Sequence, residues 1–208
     1  MDVLPEQTLD SLIIKAPQSG TKGEISGVLF GALMTWGGAG TKTSQDVILQ
    51  TGTQRRAPNV GFWSAKPTRQ EFNNPLANHC PLPNVWIEIF YNDAGRDEAL
   101  NKIREAVIPA CGNTCCIVAI GLQRQISAPM LARLGVMGGA GAPAAAAALP
   151  GGRPHWAPYI GVWAANTPYG GARWYTLQYG VYVDLDIPQR PAALGLFRLD
   201  FDLIAACI

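Results

Sequence analysis

The chain has 208 residues, 48% of them apolar, a formal net charge of +1 and only 15% charged side chains. That length suits one domain with a substantial core. The sparse, balanced charge argues against a chain-wide electrostatic footprint for nucleic acid or an anionic membrane. Cys80, Cys111, Cys115, Cys116 and Cys207 are odd in number and do not read as a secreted disulfide framework. The start, MDVLPEQTLDSLIIKAP, carries acids early and has no basic n-region, so it does not read as a signal peptide. Apolar stretches break well short of the ~18 residues of a membrane helix. The expectation is an intracellular, cytoplasmic protein.

Residues 4–16 hold a short amphipathic segment with Leu9, Leu12 and Ile13 at helical spacing. Thr21 is placed to cap the next helix, with Glu24 three residues on completing a capping box. Ile25, Val28, Leu29, Ala32, Leu33 and Trp36 then mark the cleanest helical face in the chain, ended by the glycines at 37–40. Residues 46–50 predict a short strand and 51–56 a polar turn. Two β-type runs follow, 59–64 and 85–91, flanking a polar, Pro- and Asn-rich loop at 67–83. In the second run Val85, Ile87 and Ile89 alternate with Trp86, Glu88 and Phe90, which sets one carboxylate among large apolar neighbours. A carboxylate in that position faces solvent, pairs with a cationic side chain, or holds a metal.

A helix is predicted over 97–107, with Leu100, Ile103 and Val107 on one face, Lys102 on its flank and Pro109 as its stop. The apolar run 115–122 predicts a fully buried strand. Residues 138–152, GGAGAPAAAAALPGG, read as a flexible Gly/Ala/Pro-rich loop. Strands are predicted at 159–164, 173–179 and 181–187, and 194–204 closes the chain. The fold class expected is α/β, a mixed central sheet flanked by helices with a β-rich C-terminal part, in one domain spanning 1–208.

Within that order stand several short phrases: Gly23-Glu24-Ile25, Arg56-Ala57-Pro58-Asn59-Val60-Gly61-Phe62, Pro83-Asn84-Val85-Trp86-Ile87-Glu88-Ile89, Leu100-Asn101-Lys102-Ile103, and Gly195-Leu196-Phe197-Arg198-Leu199-Asp200. Together they resemble the Uma-type restriction endonuclease family of the PD-(D/E)XK nuclease superfamily, well over 9–107 and loosely over 195–204. The resemblance implies a restriction-endonuclease-like fold and Mg²⁺-dependent cleavage of DNA phosphodiesters. Glu24, Glu88 and Lys102 would be catalytic, and Glu88 and Asn59 metal ligands. Phe90 stands where the superfamily's E-x-K motif has its lysine, so Lys102 would supply that lysine from the helix. In such chemistry carboxylates hold the metal, which activates water and stabilises charge on phosphate.

The chain departs from the family at two places. Asn59 stands where the family has Asp, and Asn84 where Asp is common. An amide brings no charge to a hard cation, so the resemblance implies an impaired Mg²⁺ site and a degenerate, inactive nuclease-like domain. The alternative is a non-catalytic structural or assembly subunit, a homo-oligomer or larger self-assembly that associates through an aromatic, low-charge surface. DNA is the partner under the first reading and further copies of the chain under the second. His79-Cys80 with Cys111, Cys115 and Cys116 matches no zinc module, and the cysteines read as buried free thiols. Asp184 and Asp186 share a strand face that is either solvated or cation-binding.

Overall fold

The computed structural model describes residues 20–91, 93–122 and 158–208. The segment predicted at 4–16 and the loop predicted at 138–152 lie outside them. Helix α1 (Gly20–Gly37) forms on its apolar stripe, with Ile25, Leu29 and Leu33 all buried. Thr21 already lies inside the helix, so the expected capping box with Glu24 does not form. At Gly37 an added Cβ would meet Thr41 Oγ1 and the Phe62 ring, which requires glycine where the helix touches the sheet.

Strand β1 (Lys42–Ser44) leads through Asp46, which holds a left-handed φ of 57°, to a hairpin of β2 (Leu49–Thr51) and β3 (Gln54–Arg56). The expected strand at 46–50 and polar turn at 51–56 are thus redistributed. Gly52 at φ 62° makes the turn itself, which shortens each strand to three residues. β4 (Val60–Trp63) and β5 (Val85–Phe90) fall within the predicted runs. The loop between them contains a short helix, α2 (Arg69–Asn73), and here the chain does form a capping box, between Thr68 and Glu71.

Helix α3 (Asp93–Lys102) passes into a π turn (Ile103–Val107) and then α4 (Ile108–Cys111). Pro109 does not stop the helix as expected. The Ile108 N–H bonds back to the Ile103 carbonyl, and this widened turn lets the helix carry a residue with no N–H on to Cys111. β6 (Cys116–Gly121), β7 (Tyr159–Trp163), β8 (Arg173–Thr176), β9 (Tyr182–Leu185), β10 (Phe197–Asp200) and helix α5 (Phe201–Ala205) complete the described elements.

Six strands make one sheet in the order β1-β4-β5-β6-β7-β8, with β5 and β6 parallel and every other pair antiparallel. β9 and β10 form a separate antiparallel pair. The fold is therefore mixed α/β around a mixed central sheet, as expected. Side-chain alternation sends Val85, Ile87 and Ile89 into one core layer with Ile25, Leu29, Leu33, Phe197, Phe201 and Ile204. It sends Trp86 and Phe90 into the other, with Leu100, Ile103 and Val107. α1, α5 and the β9–β10 pair thus cover one face, and α3 with its continuation covers the other. Among the described residues no helix is long and apolar enough to cross a membrane.

Gly121 is a sharp packing constraint in the second layer. A Cβ there would lie 2.6 Å from the Tyr159 ring and 2.8 Å from the Phe90 ring. Both rings are buried and hold each other edge to face at 5.9 Å between centroids. Gly121→Ala should therefore destabilise the chain by about 1–3 kcal/mol through overpacking. Urea unfolding of the two proteins measures this, and an unchanged midpoint would show that the rings can yield.

Candidate functional site

β5 is buried along its whole length, so Glu88 has no solvent to face; it is 3% exposed. Its position in the strand aims it at the α3 side, where Trp86 and Phe90 also point. α3 answers it with its last residue. Lys102 Nζ lies 2.8 Å from Oε1 and 2.8 Å from Oε2 of Glu88, and it also donates to the Ala57 carbonyl at 3.2 Å. The Trp86 indole N–H, two residues back along the strand, donates to Glu88 Oε1 at 2.5 Å. Ile103, the next residue after Lys102, is fully buried and pins the helix end against the sheet.

Asn59 sits immediately before β4 and brackets Glu88. Its backbone N–H donates to the Ile87 carbonyl at 2.9 Å, and its side-chain Oδ1 accepts from the Ile89 N–H at 2.7 Å. Of the four residues that the resemblance groups, the structure brings Glu88, Lys102 and Asn59 together. Glu24 does not join them. It is exposed on α1, a helix that packs on the opposite face of the sheet from Glu88. Its charge is felt instead by Cys207, whose thiol is pushed up by burial first and by Glu24 second.

Magnesium requires several oxygen ligands in near-octahedral array, and the residues present do not fit it. The single carboxylate already accepts three hydrogen bonds out of about four lone-pair sites. Lys102 neutralises its charge, and the Asn59 oxygen is turned onto a backbone N–H. Among the described residues no group of three or more His, Cys, Asp or Glu side chains is arranged to hold a metal.

Asn84 has a different task. Its Oδ1 accepts from the Ser64 N–H at 2.8 Å, and its Nδ2 donates to the Thr114 carbonyl at 3.2 Å and to Gln189 Oε1 at 3.4 Å. It therefore clamps the end of β4, the start of β5 and the turn before β6. Trp86 and the Ala57 carbonyl are the partners that sequence reasoning missed. The Trp86–Glu88 spacing of two in a strand was the available signal, since it puts both side chains on one face.

Asp184 in β9 and Asp186, just past the end of that strand, are paired with Arg198 and Arg190, so they do not share a strand face as expected, and both are partnered at the surface. His79 is exposed in a left-handed turn with φ 51°. All five cysteines are free, and four of them are buried. Burial is the first cause that pushes the Cys80 and Cys116 thiols up to about 11 from an ordinary value of 9.0. Cys115 is raised well above that ordinary value, again chiefly by burial.

Two outcomes follow from these environments. Lys102→Met leaves Glu88 buried and unpaired, which should cost about 3–5 kcal/mol, whereas Lys102→Met/Glu88→Gln should recover much of that loss. Urea titration of wild type, single and double variants checks it; equal losses in the single and double variants would mean that the pair is not coupled. The thiols act at high pH. The unfolded chain releases their protons near 9.0 and the folded chain holds those of Cys80 and Cys116 to about 11. Their stabilising contribution is whole below the first value and lost as pH rises through the second. The urea midpoint should fall across that window, and fall less in Cys116→Ala; parallel curves would remove Cys116 from the account.

No protein-family model, curated protein or solved structure matches the chain, so its likeness to the Uma-type family rests on the quoted phrases and on their order along the sequence.

Proposed function

We propose that this chain is a restriction-endonuclease-like α/β domain in which the catalytic centre has become a structural ion pair, and that it works as a non-catalytic assembly subunit. The observation that carries this reading is the saturation of Glu88: both of its oxygens are held by Lys102, and one of them also by Trp86. A carboxylate so occupied has lost the free charge that a hard cation needs. Association is supported by large apolar side chains left in solvent. Tyr179 is 73% exposed, and Met34, Tyr182, Leu196 and Ile208 about half exposed or slightly more. With only 15% charged residues in the chain, little repulsion opposes contact between copies. The free thiols suit the reducing interior of a cell.

A second reading, a Mg²⁺-dependent endonuclease acting on DNA, is favoured by one observation. Glu88 and Lys102 meet although they lie on different elements, which is the juxtaposition that the nuclease resemblance implies.

The two readings separate in solution. The assembly reading expects no Mg²⁺ or Mn²⁺ binding by titration calorimetry, no nicking of supercoiled plasmid, and a light-scattering mass well above that of one chain. Mn²⁺ binding and plasmid nicking, both lost in Glu88→Gln, would overturn it in favour of the enzyme. A monodisperse single chain across a range of concentrations would remove its association half.

A further inference from the structure

Two surfaces of this chain carry opposite charge and lie on opposite faces of the sheet. Residues 41–70 hold Lys42, Arg55, Arg56, Lys66 and Arg69 against Asp46 alone, a formal +4 in a chain whose total is +1. Arg96, Lys102, Arg104, Arg190 and Arg198 each meet a carboxylate, whereas among the described residues none of the five cations in 41–70 does. Arg55, Lys66 and Arg69 are exposed. Lys42 Nζ lies 4.6 Å from the Phe72 ring centroid, and Phe72 packs edge-on against Trp63 at 5.7 Å. Trp63 and Leu49 belong to the core layer on the α3 side, so α2 and the β2–β3 hairpin set this basic surface on that side of the sheet.

The other surface is the outside of the layer formed by α1, α5 and the β9–β10 pair. Of the large apolar side chains left exposed among the described residues, only Tyr91 lies elsewhere. Met34, Tyr179, Tyr182, Leu196, Leu203 and Ile208 are all on this layer or its connections. Two acids adjoin them. The Gly180 N–H, next to Tyr179, donates to Asp202 Oδ1 at 2.6 Å, and Asp202 precedes Leu203 in α5. The Cys207 thiol donates to the Leu203 carbonyl at 3.3 Å, and the Glu24 charge reaches that thiol from α1. Tyr179, Asp202, Leu203 and Glu24 thus form one acidic, apolar patch, and among the described residues neither acid pairs with a cation.

We propose that the basic surface of one copy docks on the acidic, apolar patch of the next, so that the chain assembles head to tail. The inference rests on the assembly reading and adds which two surfaces meet. A second copy is the occupant that suits both. Unlike charges attract, whereas like surfaces would set acid against acid or base against base. DNA would meet the basic surface but leave the acidic, apolar patch uncovered. Because the two surfaces lie on opposite faces of the sheet, every contact leaves one surface of each kind open at the ends. That gives a growing chain or a closed ring rather than a two-fold dimer.

The test measures light-scattering mass on the full chain. Wild-type mass should rise with protein concentration and fall toward that of one chain as salt is raised from tens of millimolar to half molar, because screening weakens contacts between exposed charges. Lys66→Glu/Arg69→Glu, with its basic surface reversed, and Tyr179→Ser/Leu203→Ser, with its apolar patch stripped, should each stay at the mass of one chain. An equimolar mixture of the two should stop at the mass of two chains, since it holds one intact surface of each kind on different copies. Circular dichroism verifies that each variant is folded; should a double variant fail to fold, Arg69→Glu and Leu203→Ser make the same comparison. The inference is overturned if Lys66→Glu/Arg69→Glu associates like wild type, or if wild type assembles and the mixture gives no two-chain species. It is also overturned if duplex DNA dissolves the assemblies and binds wild type but not Lys66→Glu/Arg69→Glu, which assigns the basic surface to nucleic acid. A wild type that stays a single chain at every concentration is a different failure, because it removes the assembly reading itself.

Discussion

A carboxylate buried in the middle of a strand is the constraint on which this structure turns. Glu88 lies in β5, which has neighbours on both edges and a packed core layer on each face. A lone charge there would cost on the order of several kcal/mol, so something must neutralise it. The neutralising group cannot come from β5 itself, where the alternate positions on the same face are Trp86 and Phe90. It comes from α3, and the helix is docked so that its last residue reaches the strand. The Trp86 indole and the Ala57 carbonyl complete a closed set of donors and acceptors around two opposite charges. This arrangement links β5, α3 and the entry to β4 through a single carboxylate.

The two asparagines that stand where the resemblance expects acids meet different physical demands. Asn84 both accepts and donates through its side chain. A carboxylate could accept from Ser64 but could not donate to Thr114 or Gln189, so the amide is required by the clamp. Asn59 uses only its oxygen, toward the Ile89 N–H. An aspartate could accept that bond too, but would set a second negative charge beside Glu88. With one lysine present, a single acid balances and two would not. Asn84 is thus explained by hydrogen-bonding capacity, and Asn59 by charge.

The course of α3 beyond Lys102 shows how backbone irregularity serves the same centre. The π turn begins at Ile103, directly after the lysine, and the helix then absorbs Pro109. Ile103, Val107 and Cys111 are all buried against the second core layer. The extended helix therefore has a long anchored face, which fixes the position of Lys102 more firmly than a helix ending at Lys102 would.

The sequence by itself determined the elements with strong periodicity. The α1 stripe, the alternation in β5 and the apolar run of β6 were all legible, because burial on a helix face or on both faces of a strand imposes its own spacing. The resemblance grouped Glu24, Glu88, Lys102 and Asn59 in one centre, and of these the structure sets Glu88, Lys102 and Asn59 near one another. Only the tertiary structure decided that Glu24 stands on the far face of the sheet, since a helix stripe shows what is buried and not which sheet face buries it. The hairpin at 49–56, the capping box at Thr68 and the passage of Pro109 were decided there too, by turn geometry and bonding register that composition does not report. The state of Glu88 is the plainest case. Alternation predicted a carboxylate among apolar neighbours, but its partners are set by distances of 2.5–3.2 Å among groups on separate elements, and those distances exist only once the sheet and its helices have packed.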